Sequence, residues 1–454
     1  MQILTKDGLT DPIRNTQGVK QGCPLSPSLF NLFIKPLSVY IERAKCSGIN
    51  MGNGTDDIDT LFFADDIAVI SDNVRDLQRK IDALSLFVKD FGLKINLDKS
   101  QIMVCRNGGI ITKAKKWKLE DKIIRTTSYY KYLGLTFSTR NSWSKGTSVL
   151  VDQAKKSFAL VKRFLLSAKC EDIHVWFRMF DSVVSPILYY GAEIWGYQIW
   201  EKIEQFHLQV CKYILKVGKS TMNSMALGEC GRYPLSLRYQ KRCIKYYVKI
   251  LRMDNHRLPK QCFLHSRRLS ESGRVTWATH IKAILFHFGF FEVWEARDVG
   301  DVKVFLRNFT ERMKVQFTQK WEEDIQGSDL ACTYRDFKRT FEIESYLLQM
   351  KYRSNIEMLV RFRTNRFGLR VDKCKNVNVS DRICKLCNLH NIEDQFHVLG
   401  VCSAYNNIRT EQFGQQRLIY NDFVSIMMTN DVNLQRSISK FLREVSKIQQ
   451  NREG

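Results

Sequence analysis

The sequence has no long apolar run. Its most apolar stretch, Val183–Trp200, is broken by Pro186, Glu193 and Gln198. A membrane span of about 20 apolar residues is therefore not expected. Met1-Gln2-Ile3-Leu4-Thr5-Lys6-Asp7 lacks the apolar core of a secretory leader. Internal repeats and low-complexity tracts are not apparent. The chain is also short of acid, with 47 Asp+Glu against 71 Lys+Arg and a formal net charge of +24. Such an excess is the electrostatic footprint of a polyanion-binding protein. Its 13 cysteines are an odd number and form no secretory framework, which favours a reducing compartment, in the nucleus or the cytoplasm. With 454 residues, 44% of them hydrophobic, two to four domains with ample core material are expected.

Two adjacent aspartates interrupt the apolar run Leu61-Phe62-Phe63-Ala64-Asp65-Asp66-Ile67-Ala68-Val69-Ile70. The run reads as two short buried strands joined by a tight turn. Burying neighbouring carboxylates without a partner is costly, so the pair calls for a cation. Oxygen ligands on a turn suit Mg²⁺, which completes its shell with phosphate and water. Upstream, Gly18-Val19-Lys20-Gln21-Gly22-Cys23-Pro24-Leu25-Ser26-Pro27 reads as a loop whose backbone can approach a ligand closely. Ser26 as N-cap and Pro27 at the first helical position then start an amphipathic helix that Pro36 should kink. Downstream, Leu77, Ile81, Leu84, Val88 and Phe91 mark one buried helical face, with Gly92 as its C-terminal stop. Strands over Leu61–Ile70, Ser100–Cys105 and Tyr132–Phe137 would alternate with that helix.

These segments resemble the reverse transcriptases of LINE-type (non-LTR) retrotransposons. The Gly18–Pro27 loop is similar to their nucleotide-pocket motif, and Phe63-Ala64-Asp65-Asp66 to their catalytic hairpin. Phe91-Gly92-Leu93-Lys94-Ile95-Asn96-Leu97-Asp98-Lys99-Ser100 resembles the next palm motif. Tyr130-Lys131-Tyr132-Leu133-Gly134-Leu135-Thr136-Phe137 resembles the primer-grip hairpin that closes the palm. The resemblance implies that Asp65 is the direct Mg²⁺ ligand and Asp66 the second acidic residue. It also implies that Gln21 and Gly22 shape the floor beneath the nucleotide, and that Lys99 stands near the leaving pyrophosphate. Family palms need a further aspartate on a strand before the Gln-Gly loop. The acidic residues ahead of that loop are Asp7 and Asp11, and both read as turn residues. The expectation is a truncated palm with little activity alone.

Ser144–Lys260 is a helical pattern with few breakers, opened by Leu150, Ala154, Phe158, Val161 and Leu165 on one face. By position it corresponds to a thumb, and Leu188-Tyr189-Tyr190-Gly191-Ala192-Glu193-Ile194-Trp195-Gly196 resembles the thumb region of the same family. Phe286–Trp294 is aromatic-rich and reads as helix core. Clusters at Lys113–Lys118, Lys241-Arg242 with Lys245, and Arg361–Arg370 mix cations with aromatics, which suits phosphate contact and base stacking.

The C-terminal quarter carries Cys384-x₂-Cys387-x₉-His397-x₄-Cys402. Cys-x₂-Cys sets two thiolates on one knuckle, and His-x₄-Cys sets two more ligands about one helical turn apart. Together they suit a closed, tetrahedral Zn²⁺ site whose ligand atoms would lie within about 4 Å of one another. His390 and Cys374 compete with less regular spacing. The order resembles the zinc knuckle that ends LINE-type polyproteins, which favours His397.

The fold expected is an α/β (α+β) right-hand polymerase palm, partial, followed by a mostly helical thumb and a small zinc-bearing C-terminal region. Its expected divisions are palm 1–140, thumb 141–260, helical connector 261–350 and zinc-knuckle region 351–454. The function implied is RNA-directed DNA synthesis with Mg²⁺, an RNA template, a DNA primer or target and deoxynucleoside triphosphates. A non-catalytic nucleic-acid-binding relic is the alternative.

Overall fold

A computed structural model describes residues 2, 4–12, 18–20, 22–52, 57–106, 116–373 and 376–453. Gln21, Cys374 and the Lys113–Lys115 part of the first basic cluster lie outside the described residues. The chain divides into two compact units. One comprises Met1–Tyr132 with Phe137–Ser142, the other Leu133–Thr136 with Trp143–Gly454.

The first unit is built around the helix Val74–Asp90. Asn73 caps it by accepting from the Asp76 N–H at 2.9 Å, and Gly92, at φ +64°, stops it. Its apolar face serves two small cores. Leu77 and Ile81 pack with Ile102, Trp117, Leu119 and Ile124. One turn later Leu84, Phe87, Val88 and Phe91 pack with Ile34, Leu37 and Ile41, where the Phe87 and Phe91 rings stack at 4.4 Å.

Pro36 does more than kink the preceding segment, which splits into the helices Ser26–Ile34 and Leu37–Arg43. Ser26 does not cap. Its hydroxyl donates to the Lys20 carbonyl at 2.6 Å and closes the loop instead, leaving Leu25 in the N-cap position.

The strands are shorter and more exposed than the sequence suggests, and they form separate two-stranded sheets. Leu4–Thr5 pairs with Gly8–Leu9 and Lys118–Leu119 with Lys122–Ile123, both antiparallel, whereas Gln101–Ile102 pairs in parallel with Arg125–Thr126. Only Gln101–Ile102 of the expected Ser100–Cys105 strand is extended and paired. The expected strand over Tyr132–Phe137 is a hairpin, Tyr129–Tyr132 with Leu135–Ser138. Leu133 (φ +48°) and Gly134 (φ +82°) turn it, and two positive φ values in succession match the twist of paired strands.

The second unit is mostly helical. In Ser144–Ser167 the anticipated face is buried at Leu150, Ala154, Val161 and Leu165, and Phe158 sets its edge against Phe180, Phe206 and Tyr213. Of the aromatic stretch read as helix core, Phe288 and Trp294 enter the core, whereas Phe286 and Phe291 are exposed. Gly191, at φ +66°, admits the Leu135 side chain, since a Cβ there would stand 2.5 Å from Leu135 Cδ1.

A buried ionic knot crosses this unit. Arg363 Nε reaches Glu229 Oε2 at 3.0 Å and Arg363 Nη2 reaches Glu344 Oε2 at 3.0 Å. Lys338 Nζ meets Glu344 Oε1 at 2.5 Å. Tyr346 donates to Glu229, and Arg363 Nη1 donates to the Met427 carbonyl. Among the described residues no helix is long and apolar enough to cross a membrane.

Candidate active site and metal centre

The antiparallel register Thr60↔Val69, Leu61↔Ala68, Phe62↔Ile67, Phe63↔Asp66 leaves Ala64 and Asp65 as a two-residue turn. Ala64 takes the left-handed φ of +52°. Asp65 is thus at the tip and Asp66 opens the return strand. Both carboxylates are exposed, as are Phe62 and Phe63. The expectation of buried strands is corrected here: Thr60, Leu61 and residues 67–70 are half-buried, with Ile67 against the Leu37 core, but Phe62 and Phe63 are exposed, because among the described residues no third strand pairs beside the ribbon. The acidic pair therefore stands ready for a cation without needing one to offset burial.

The root of this hairpin is fastened by a residue the motifs did not reveal. Ile70 N–H donates to the Asp59 carbonyl at 2.7 Å, so the two strand ends meet. Lys80, wholly buried on the Val74–Asp90 helix, donates to the Ile70 and Ser47 carbonyls at 2.9 Å each and pairs with the Asp59 carboxylate. Its one sequence signal is a lysine beside Ile81, within the apolar half of an amphipathic helix.

Tyr130 and Tyr132, two apart on one strand, share a face. The Tyr130 hydroxyl donates to the Lys99 carbonyl at 3.4 Å. Burial first, and then the Asp66 carboxylate and Tyr130, push the Tyr132 phenol up. This strand face therefore neighbours both Asp66 and the Lys99 turn. Asn96 builds that turn by accepting from the Asp98 and Lys99 N–H groups, and Lys99 itself is exposed. Gly22 is exposed at φ +80°, with open space where a Cβ would stand.

At the other end of the chain, Cys384, Cys387, His397 and Cys402 converge, with no pair of ligand atoms more than 4.8 Å apart. Cys384 and Cys402 Sγ are 3.9 Å apart, and Cys387 Sγ lies 3.4 Å from His397 Nε2. The Leu386 N–H points at Cys384 Sγ from 3.4 Å, which shapes the knuckle. A π-helical turn, His397–Val401, sets the second pair. The Asp394 carboxylate caps the His397 N–H at 2.7 Å, and the Cys402 N–H donates to the His397 carbonyl at 2.8 Å.

His390 is exposed at φ +53° and is not among the four. The donor set fits a soft, tetrahedral cation such as Zn²⁺. Electrostatics agree. Donation from Cys402 pulls the Cys384 thiol down to about 3, and as the donor Cys402 is pushed up. Burial and then the Cys384 charge push the Glu393 carboxyl up to about 7. His397 Nδ1 is buried and finds no partner among the described residues.

Residues 3–137 match the family described as reverse transcriptase (RNA-dependent DNA polymerase). This stretch is a reverse transcriptase domain. The relatives place it near the polymerases of non-LTR retrotransposons. The chain is 23% identical over 208 residues, 42% of its own length, to the RNA-directed DNA polymerase from mobile element jockey of Drosophila melanogaster. It is 32% identical over 127 residues, 27% of its length, to the Pol polyprotein from the type-1 retrotransposable element R2 of Popillia japonica. It is also 32% identical over 134 residues, again 27% of its length, to that of the type-2 element R2DM of Drosophila melanogaster. The matches span 21%, 18% and 12% of those proteins.

The reverse transcriptase domain thus includes the Asp65-Asp66 hairpin, the Gly22 loop, the Lys99 turn and the tyrosine strand. Polymerases of this family work with metal ions on a nucleic-acid template and primer and on deoxynucleotides. Two exposed carboxylates on a fixed turn are hard oxygen donors of the kind Mg²⁺ takes. Bound there, the ion would neutralise charge on phosphate oxygens.

Proposed function

We propose that the chain provides the palm and thumb of a LINE-type reverse transcriptase, with a zinc knuckle at its C-terminal end. In this reading residues 1–140 form the palm, 141–260 the thumb, 261–350 a helical connector and 351–454 the zinc-bearing region. The observation that carries it is the register of the Thr60–Val69 hairpin, which sets two adjacent, exposed carboxylates at a turn. Asp65 and Asp66 hold Mg²⁺, Gly22 leaves room for the nucleotide, and Lys99 faces the departing pyrophosphate. Gln21 would complete the nucleotide floor. Cys384, Cys387, His397 and Cys402 hold Zn²⁺, and four protein ligands leave no open position, so this ion is structural.

Mn²⁺ binding followed by electron paramagnetic resonance tests the palm without requiring turnover. A site lost in Asp65→Asn supports the reading. RNA-templated primer extension that survives Asp65→Asn would overturn it. The rival, a nucleic-acid-binding relic, draws on the net charge of +24 and predicts nucleic-acid binding with no Asp65-dependent metal.

A further inference from the structure

On the helix Leu235–Leu251 every exposed residue is basic: Arg238, Arg242, Lys245 and Lys249. Half-buried Lys241 and exposed Arg252, the residue after the helix, extend the set. At 100° per residue these six fall within an arc of about 100°, and the line runs about 21 Å along the axis. The opposite face is fully committed to the core through Tyr239, Cys243, Ile244, Tyr247 and Val248.

For folding alone this stripe is a poor choice. Arg238/Arg242, Lys241/Lys245 and Lys245/Lys249 are like-charge pairs four apart, each destabilising a helix by about 0.2–0.5 kcal/mol. A solvated face ordinarily alternates in sign. The arginines are braced: Arg238 lies 3.5 Å from Asp181 Oδ1, and Arg242 lies 3.7 Å from Glu193 Oε1 while its guanidinium covers the Tyr189 ring. Arg252 donates to the Gly300 carbonyl at 2.7 Å. Lys241, Lys245 and Lys249 form no ion pair among the described residues and remain available.

We propose that this ridge is a phosphate rail that tracks the backbone of one nucleic-acid strand without reading its bases. It rests on the nucleic-acid partner of the reading above and assigns that partner a surface. Spacing fits the phosphates of one strand. The rail offers a cation about every 4 Å, close to the roughly 3.4 Å of helix axis per phosphate along one strand. The free cations are lysines on long stems, suited to phosphate oxygens, while the arginines, common readers of guanine, are held by Asp181, Glu193 and the Gly300 carbonyl.

The test compares two triple variants of the full chain that remove equal charge. One, Lys241→Gln/Lys245→Gln/Lys249→Gln, strips the rail. The other, Lys303→Gln/Lys320→Gln/Lys440→Gln, removes exposed lysines from other helices. Affinity for a uridylate RNA oligomer and a thymidylate DNA oligomer is measured against salt concentration. Losing three phosphate contacts should flatten the log–log slope by about 2 on both oligomers, and the control triple should change it by less than half as much. Equal slopes for the two triples would overturn the rail while leaving nucleic-acid binding intact. A loss on RNA alone would overturn the phosphate reading, since the sugar would then be what is recognised. If the unaltered chain showed no salt-dependent binding, the partner itself would fail, and the rail with it. A melting temperature that does not fall in either triple, and that rises slightly in the rail triple as its like-charge pairs are relieved, confirms that loss of folding is not what was measured.

Discussion

Among the described residues the Asp65-Asp66 pair and the Cys384 cluster are two candidate ligand sets, and they are built in opposite ways. The carboxylates stand in water at the tip of a two-stranded ribbon, whereas the thiols and the imidazole are enclosed, capped and pressed together before any ion arrives. A site that must exchange substrate at each turnover gains from exposure, with its precision supplied from the root of the hairpin. A site that only fixes shape gains from closure. Two of the buried cations, Lys80 and Arg363, repeat the contrast. Lys80 fastens the base of an open loop, while Arg363 is tied into a knot among core helices.

The sharpest way to break this comparison is at the knot. Arg363→Met should leave Glu229 buried without its cation and cost about 3–5 kcal/mol, read as a loss of denaturant stability in the second unit. Adding Glu229→Gln should recover part of that loss. If Arg363→Met proved neutral, the knot would hold nothing together. The metal centre comes next. Chelation or Cys384→Ser should reduce bound zinc from about one per chain to near zero and expose the 380–405 region to protease, while His390→Ala keeps the metal.

Lys80→Met is expected to act more locally. Asp59 and two carbonyls lose their donor, at about 1–3 kcal/mol. Amide exchange across Thr60–Ile70 should then quicken by roughly 10-fold or more, with the Ser144–Ser167 helix unaffected. Protection that does not change would show that the hairpin keeps its shape without this lysine.

The smallest effect is a pH dependence. Burial pushes the Asp181 carboxyl up, but the two-pronged Arg232 bond and its charge outweigh burial, and the net shift is downward from 3.8. A depressed folded pKa means that the stabilisation is complete above about pH 4 and is lost as pH falls through the folded value. Asp181→Asn should lower stability near neutrality and flatten the acid limb below about pH 4, so that the two stability curves converge as pH falls.

The parts legible in the sequence were those set by short-range chemistry. The Asp-Asp turn, the Gly92 stop, the Leu150–Leu165 face and the Cys-x₂-Cys…His-x₄-Cys spacing each depend on a few neighbouring residues, and each appears in the structure where the spacing put it. Burial of the hairpin strands was misread because Phe62 and Phe63 are apolar, and composition does not say whether a covering layer stands above them. Lys80 gave little signal, and Arg363, placed by sequence in a cluster suited to phosphate contact, is instead buried against Glu229, both for a different reason. Their partners, Asp59 for one and Glu229 and Glu344 for the other, are far apart in the chain, and only the tertiary fold turns a lone cation into a buried tie.

The π-helical turn between His397 and Cys402 makes spacing and handedness a single quantity. An α-turn would swing the cysteine about 100° around the axis for each residue gained or lost, so four intervening residues are tolerated only because this turn is one residue wide of the ordinary helix. Gly400 leaves room for the Phe396 ring against this turn, since a Cβ there would stand 2.9 Å from it. The segment therefore behaves as a gauge block. Deleting Leu399 would keep all four candidate ligands in the sequence and yet rotate Cys402 away from the other three, so the cluster could not close.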